Sequence, residues 1–68
     1  SSGNTGALAE DNVFYVERGS IELSTDAGST YIPFGVGDKI VFQSGLTVHY
    51  RNARKNPAHK TTFSYMPI

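Results

Sequence analysis

Sixty-eight residues with no cysteine and two histidines make at most one domain, and they exclude disulfide staples and thiolate chemistry. Six acids balance six bases, and no apolar run approaches the length of a membrane span or a signal-peptide core. A chain this short buries only about 60% of its unfolded surface, so support from partner subunits or a larger parent chain is expected.

Residues 1–12 are small and polar apart from Leu8, and they read as a mobile N-terminal arm or scar. Residues 13–68 read as a single β domain, or as a fragment of a longer chain. Residues 13–16 (VFYV) are apolar on both faces, which predicts a strand covered on both sides. Gly19 is the expected bend after it. Ile21 and Leu23 then alternate with Glu22 and Ser24, and residues 25–29 form the hairpin connection. There Asp26 is placed to bond the backbone ahead, and Gly28 supplies a positive φ.

Residues 30–34 return as a strand that Pro33 confines to an edge or ends. After the turn at 35–38, Ile40 and Phe42 share one face and Val41 takes the other, toward a second layer or subunit. A second turn at 43–45 leads to a strand with Val48 and Tyr50 inward, Thr47 and His49 outward. Residues 52–58 form a polar connector, and alternation resumes after it with Phe63 and Tyr65 on one face. No helical period of useful length occurs. The pattern predicts an all-β chain of about six short antiparallel strands, a small sandwich or barrel.

Every acid precedes Lys39, whereas five of the six bases lie from Lys39 onward. Either the basic part is a surface for nucleic acid, or acidic and basic strands lie side by side and their side chains pair. Pairing is the simpler account. The segment carrying Arg51, Arg54, Lys55 and Lys60 is the basic surface of the nucleic-acid alternative. Its aromatic neighbours Tyr50, Phe63 and Tyr65 share the core face, where they cannot stack on bases. Glu17 and Glu22 flank Gly19 as a carboxylate pair but read as a solvated face. No serine sits in a strand-to-helix elbow, so a hydrolytic triad has no scaffold.

Phe14 through Gly19, the turn with Asp26 and Gly28, and Gly37-Asp38 followed by Phe42 and Gly45-Leu46 together resemble the cupin superfamily, small single-domain type. The resemblance covers residues 12–52, about three fifths of the chain. It implies a cupin-like jelly roll, whole or incomplete, since the opening strands of the family's domain are missing. The family's metal rests on histidines and a carboxylate. The matching positions here hold Asn12, with Asp11 beside it, then Gly6, Leu8 and Val48. His49 stands one residue off, on the opposite face.

The resemblance therefore implies the scaffold without its metal or any other cofactor. The expected function is a non-catalytic β module for ligand binding or oligomeric assembly. Its pocket would lie between the sheets, lined by Tyr15, Phe42, Val48, Tyr50 and Phe63, with Asn52 as polar contact, and would suit a small apolar ligand. A homo-oligomer or a larger parent chain would supply the missing edge. A further alternative is a small cupin enzyme completed by a missing segment or partner. With no span or signal peptide in this segment the chain is expected to be soluble, without membrane contact.

Overall fold

The computed structural model describes residues 2–53 and 60–68. Across them the chain forms seven strands and no helix. These are β1 (Ser2–Ala7), β2 (Asn12–Arg18), β3 (Ser20–Ser24), β4 (Ile32–Gly35), β5 (Lys39–Phe42), β6 (Thr47–Asn52) and β7 (Thr62–Pro67). They make two antiparallel sheets, a wide one in the order β1-β6-β3-β4 and a narrow one in the order β5-β2-β7. The expected all-β sandwich is present, with one strand more than the alternation alone picks out. Among the described residues no helix is long and apolar enough to cross a membrane.

The pairings β1·β6, β2·β5 and β3·β4 are nested around residues 25–31. The chain is thus a long hairpin rolled into two layers. Rolling brings β3 against β6, which completes the wide sheet, and β7 then joins the other side of β2. β2 belongs to the narrow sheet and β3 to the wide one, yet Gly19 alone separates them. Its φ of +76° suits glycine, and a Cβ there would stand 2.7 Å from the Lys60 carbonyl oxygen. The corner is pinned beside it, where the Thr61 hydroxyl donates to the Ser20 carbonyl at 2.7 Å.

Strand alternation fills the space between the layers. Phe14 and Val16 of β2, Ile21 and Leu23 of β3, Val48 of β6 and Leu8 form the buried apolar cluster. Phe34, Phe42, Tyr50 and Phe63 pack around it. Val13 and Tyr15 lie on the opposite face of β2. That face bears no second layer among the described residues, so the expectation of a strand covered on both sides is corrected.

The opening segment also departs from expectation. Residues 2–7, read as part of a mobile arm, form β1 and pair with β6 through Ser2↔Arg51, Gly3↔Tyr50 and Asn4↔His49. β1 contributes no large apolar side chain, so burial leaves no trace of it in the sequence. It is held by backbone pairing and by the Val48 N–H, which donates to Thr5 Oγ1 at 3.1 Å. Gly3 leaves room for Tyr50, whose hydroxyl oxygen lies 2.7 Å from where a Cβ would stand.

Replacing Gly19 by alanine therefore adds a clash to the backbone strain, whereas Gly6, also at positive φ, has nothing within 4 Å of its Cβ position. Gly6→Ala is expected to cost about 1–2 kcal/mol from conformation alone. Gly19→Ala should cost at least about 1 kcal/mol more, because the Lys60 carbonyl must retreat. Urea unfolding of the two variants measures the difference, and equal losses would contradict the close approach.

Candidate functional site

The sheets are joined along one side and open along the other. On the closed side Tyr50 of β6 meets Phe63 of β7, with ring centroids 5.1 Å apart. On the open side β4 and β5, the outer strands of their sheets, face a cleft of about 390 Å³. Leu23, Ile32, Phe34, Ile40 and Phe42 form its apolar walls. The register explains the convergence: Leu23 lies opposite Ile32, and Ile21 opposite Phe34. In the narrow sheet Ile40 lies opposite Phe14, and Phe42 opposite Asn12.

Ser24, Thr25, Asp26 and Thr30 close one end of the cleft with polar groups. The Ser24 hydroxyl donates to Asp26 Oδ1 at 2.6 Å, and the Thr30 N–H donates to the same oxygen at 2.8 Å. Ser24 Oγ in turn accepts the Gly28 N–H at 2.9 Å. Ser24 is buried, so its hydroxyl is spent on the turn. Its cross-strand neighbour is His49, but the proton of Ser24 goes to the aspartate. A nucleophilic serine gives its proton to an effective general base such as histidine, and a carboxylate is a poor one. The bonds from Ser24 and then Thr30 hold the Asp26 carboxyl below its ordinary value of 3.8. A negative charge thus persists at this end of the cleft into acid.

The residues expected to line one pocket fall in different places. Phe42 is in the cleft. Val48 is fully buried and belongs to the core. Tyr50, Asn52 and Phe63 surround a smaller depression of about 100 Å³, together with Arg51 and Thr61. There Asn52 Oδ1 lies 3.2 Å from the Thr61 hydroxyl oxygen. Tyr15 is not between the sheets, because Phe14 and Val16 take that side of β2. It lies beside Val13, Lys39 and Met66 on an outer groove of about 250 Å³. Of the apolar cleft residues the pocket expectation held Phe42 alone and lacked Leu23, Ile32, Phe34 and Ile40. Alternation marks them as strand residues, but nothing local says that β4 faces β5.

Among the described residues one cross-strand ion pair joins an acidic residue to a basic one. Glu22 lies opposite Arg51, and Arg51 Nε donates to Glu22 Oε1 at 2.6 Å. The guanidinium also covers the Tyr31 ring, 3.8 Å from its centroid. Lys60 is exposed, while Arg54, Lys55 and His59 lie outside the described residues. Glu17 and Glu22 do not form a pair: Glu17 accepts a bond from the Ser64 hydroxyl at 2.7 Å, in the other sheet.

At the positions where the resemblance would seek metal ligands, Leu8 and Val48 are core, and Gly6 offers no side chain. Asn12 is buried, its side-chain amide donating to the Glu10 carbonyl at 2.9 Å. Val48 faces inward and His49 outward, as the strand period requires. Among the described residues no group of three or more histidine, cysteine, aspartate or glutamate side chains is placed to hold a metal ion.

Because folding lowers the Asp26 pKa, its contribution to stability is present above pH 3.8 and is lost as the pH falls below that value. Asp26→Asn should remove this share of the acid sensitivity. Denaturant unfolding between pH 2 and pH 6 tests it, and parallel curves for the two proteins would show that Asp26 carries none. Comparison with family models, with curated proteins and with solved structures finds no match to this chain.

Proposed function

We propose that the chain is a non-catalytic binding module that takes a small apolar ligand in the cleft between β4 and β5, within a larger assembly. The observation that carries this reading is the cleft itself, about 390 Å³ in volume with five aliphatic and aromatic side chains on its walls. That size lies in the range of small-molecule sites, which bury an apolar body and use a few polar groups for orientation. The polar end at Ser24, Asp26 and Thr30 supplies the orienting groups. A ligand with an apolar body and a hydrogen-bond donor at one end would match both.

Support for the other readings is weaker. A nucleic-acid surface would need free cations beside open aromatic faces. Arg51 is engaged by Glu22 and Tyr31, and Tyr65 stacks on Phe14 with centroids 4.6 Å apart. An enzyme would need an acid, base or nucleophile turned into the cleft, and the hydroxyl and carboxylate there hold a turn.

The test is titration with a neutral fluorescent probe, N-phenyl-1-naphthylamine. Ile32 is 55% exposed while lining the cleft, so Ile32→Glu places a charge there with little cost to the fold. Probe affinity should drop at least about tenfold, since a carboxylate in an apolar site must be desolvated or left unpaired. Val36→Glu, at an exposed position outside the cleft lining, should leave binding unchanged. Absence of saturable binding to the unmodified chain would remove the proposal.

A further inference from the structure

The two sheets end in four outer strands, and three of them carry features that discourage further pairing. β4 contains Pro33, which has no N–H to donate. β7 ends at Pro67. β1 has a register irregularity between Asn4 and Ala7, with Gly6 at positive φ. β5 (KIVF) has no proline, glycine or irregular register, and Lys39 is its one charge. Natural sheets protect their edges with such devices; β5 keeps only its short length and Lys39, which leaves it the least guarded of the four and the one best shaped to be paired. It also borders the cleft, where it faces β4, the outer strand of the wide sheet.

We infer that β5 pairs antiparallel with β5 of a second copy about a two-fold axis at Val41, and that this closes the open side. A two-fold pairing must set each residue opposite its own symmetry mate or exchange it reciprocally. An axis between Ile40 and Val41 would put an inner residue opposite an outer one, which the strand period forbids. An axis at Ile40 would put Asp38 opposite Phe42, yet the Asp38 carboxylate is held in its own turn by the Gly35 N–H at 2.8 Å. An axis at Val41 has neither fault. Val41 then meets Val41, Ile40 meets Phe42 on the inner face, and Lys39 meets Gln43 without opposing like charges.

The narrow sheets of the two copies would join into one sheet, three strands from each. Their clefts would face each other across the axis, so that Ile32, Phe34, Ile40 and Phe42 of one copy share an apolar chamber with those of the other. Val41, 57% exposed in the single chain, would gain a partner on the outer face. The inference rests on the reading of the open side as functional, and it gives that side its occupant. A second copy fits because the edge is complementary to itself in register, charge and apolar lining.

The chain has no cysteine, so Val41→Cys introduces a single thiol at the axis. Directly opposed residues of an antiparallel pair have Cβ atoms about 4.5–5.5 Å apart, within reach of a disulfide after small adjustment. Mild oxidation should give a covalent dimer, whereas Val36→Cys, also exposed, should give little. Sedimentation should find the unmodified chain dimeric at micromolar concentration. Val41→Lys and Val41→Glu should each weaken the dimer at least about tenfold, and mixing the two should restore it as a heterodimer.

Circular dichroism of the variants confirms that they remain β-folded. A monomer at every concentration, or charge variants whose mixture stays monomeric, would overturn the inference. Probe titration of the same samples separates it from the binding proposal. A monomer that binds N-phenyl-1-naphthylamine refutes the pairing alone, and a dimer that does not bind it refutes the ligand site alone.

Discussion

Phe14 lies on the middle strand of the narrow sheet, and the aromatic rings around it hold the layers together. It is 1% exposed, with the Phe42 ring edge-on at 5.1 Å and the Tyr65 ring stacked at 4.6 Å. Both outer strands of that sheet are therefore attached to β2 through one side chain as well as through backbone ladders. From Tyr65 the rings continue to Phe63 at 6.4 Å, and from Phe63 across to Tyr50 of the wide sheet. Burying such a ring is worth about 1.5–3 kcal/mol, and each aromatic pair adds about 0.5–1.5. A domain of this size has only a few kcal/mol of net stability. The ring chain is thus a large share of what keeps the sandwich shut on the β6–β7 side.

No equivalent bridge spans β4 and β5. Phe34 and Phe42 line the gap there instead of filling it, and Ile32 is left half in water. The asymmetry lies in the side chains, since β2 has one neighbour on each side: Phe63 of β7 reaches Tyr50 of the wide sheet, whereas Phe34 and Phe42 stand apart across the cleft. Among the described residues nothing fills that gap, and it is the room that the proposed ligand or second copy would take. Apolar surface left open in so small a core is where binding yields most free energy.

The acids act mainly on the backbone. Asp38 and Asp26 each accept an N–H within their own turns, and Asp11 accepts the Ser44 N–H at 2.8 Å. The Asp11 carbonyl also receives the Ile68 N–H at 3.0 Å, while Leu8 exchanges backbone bonds with Gly45 and Leu46. The two arms of the rolled hairpin are tied at this end. Glu22 serves β3·β6 by pairing with Arg51, a surface bond worth about 0.2–1 kcal/mol. These structural duties account for Asp11, Glu22, Asp26 and Asp38.

Strands whose side chains are sorted by burial can be read directly from the order of the residues. β3, β5 and β6 are written in their alternation, as are the Gly19 corner, the Asp26 turn and the pairing of acidic with basic strands. These depend on a period of two and on local backbone chemistry, both readable from neighbours. β1 left no such mark, because SGNTGA is held by main-chain bonds that any sequence can make. Tyr15, expected between the sheets, lies on the outer face, since a strand that is apolar throughout has no parity to read. The opposition of β4 and β5, and so the cleft, was decided by tertiary structure. It arises from pairings between residues far apart in the chain, and only the rolled hairpin brings Ile32 and Phe34 to face Ile40 and Phe42.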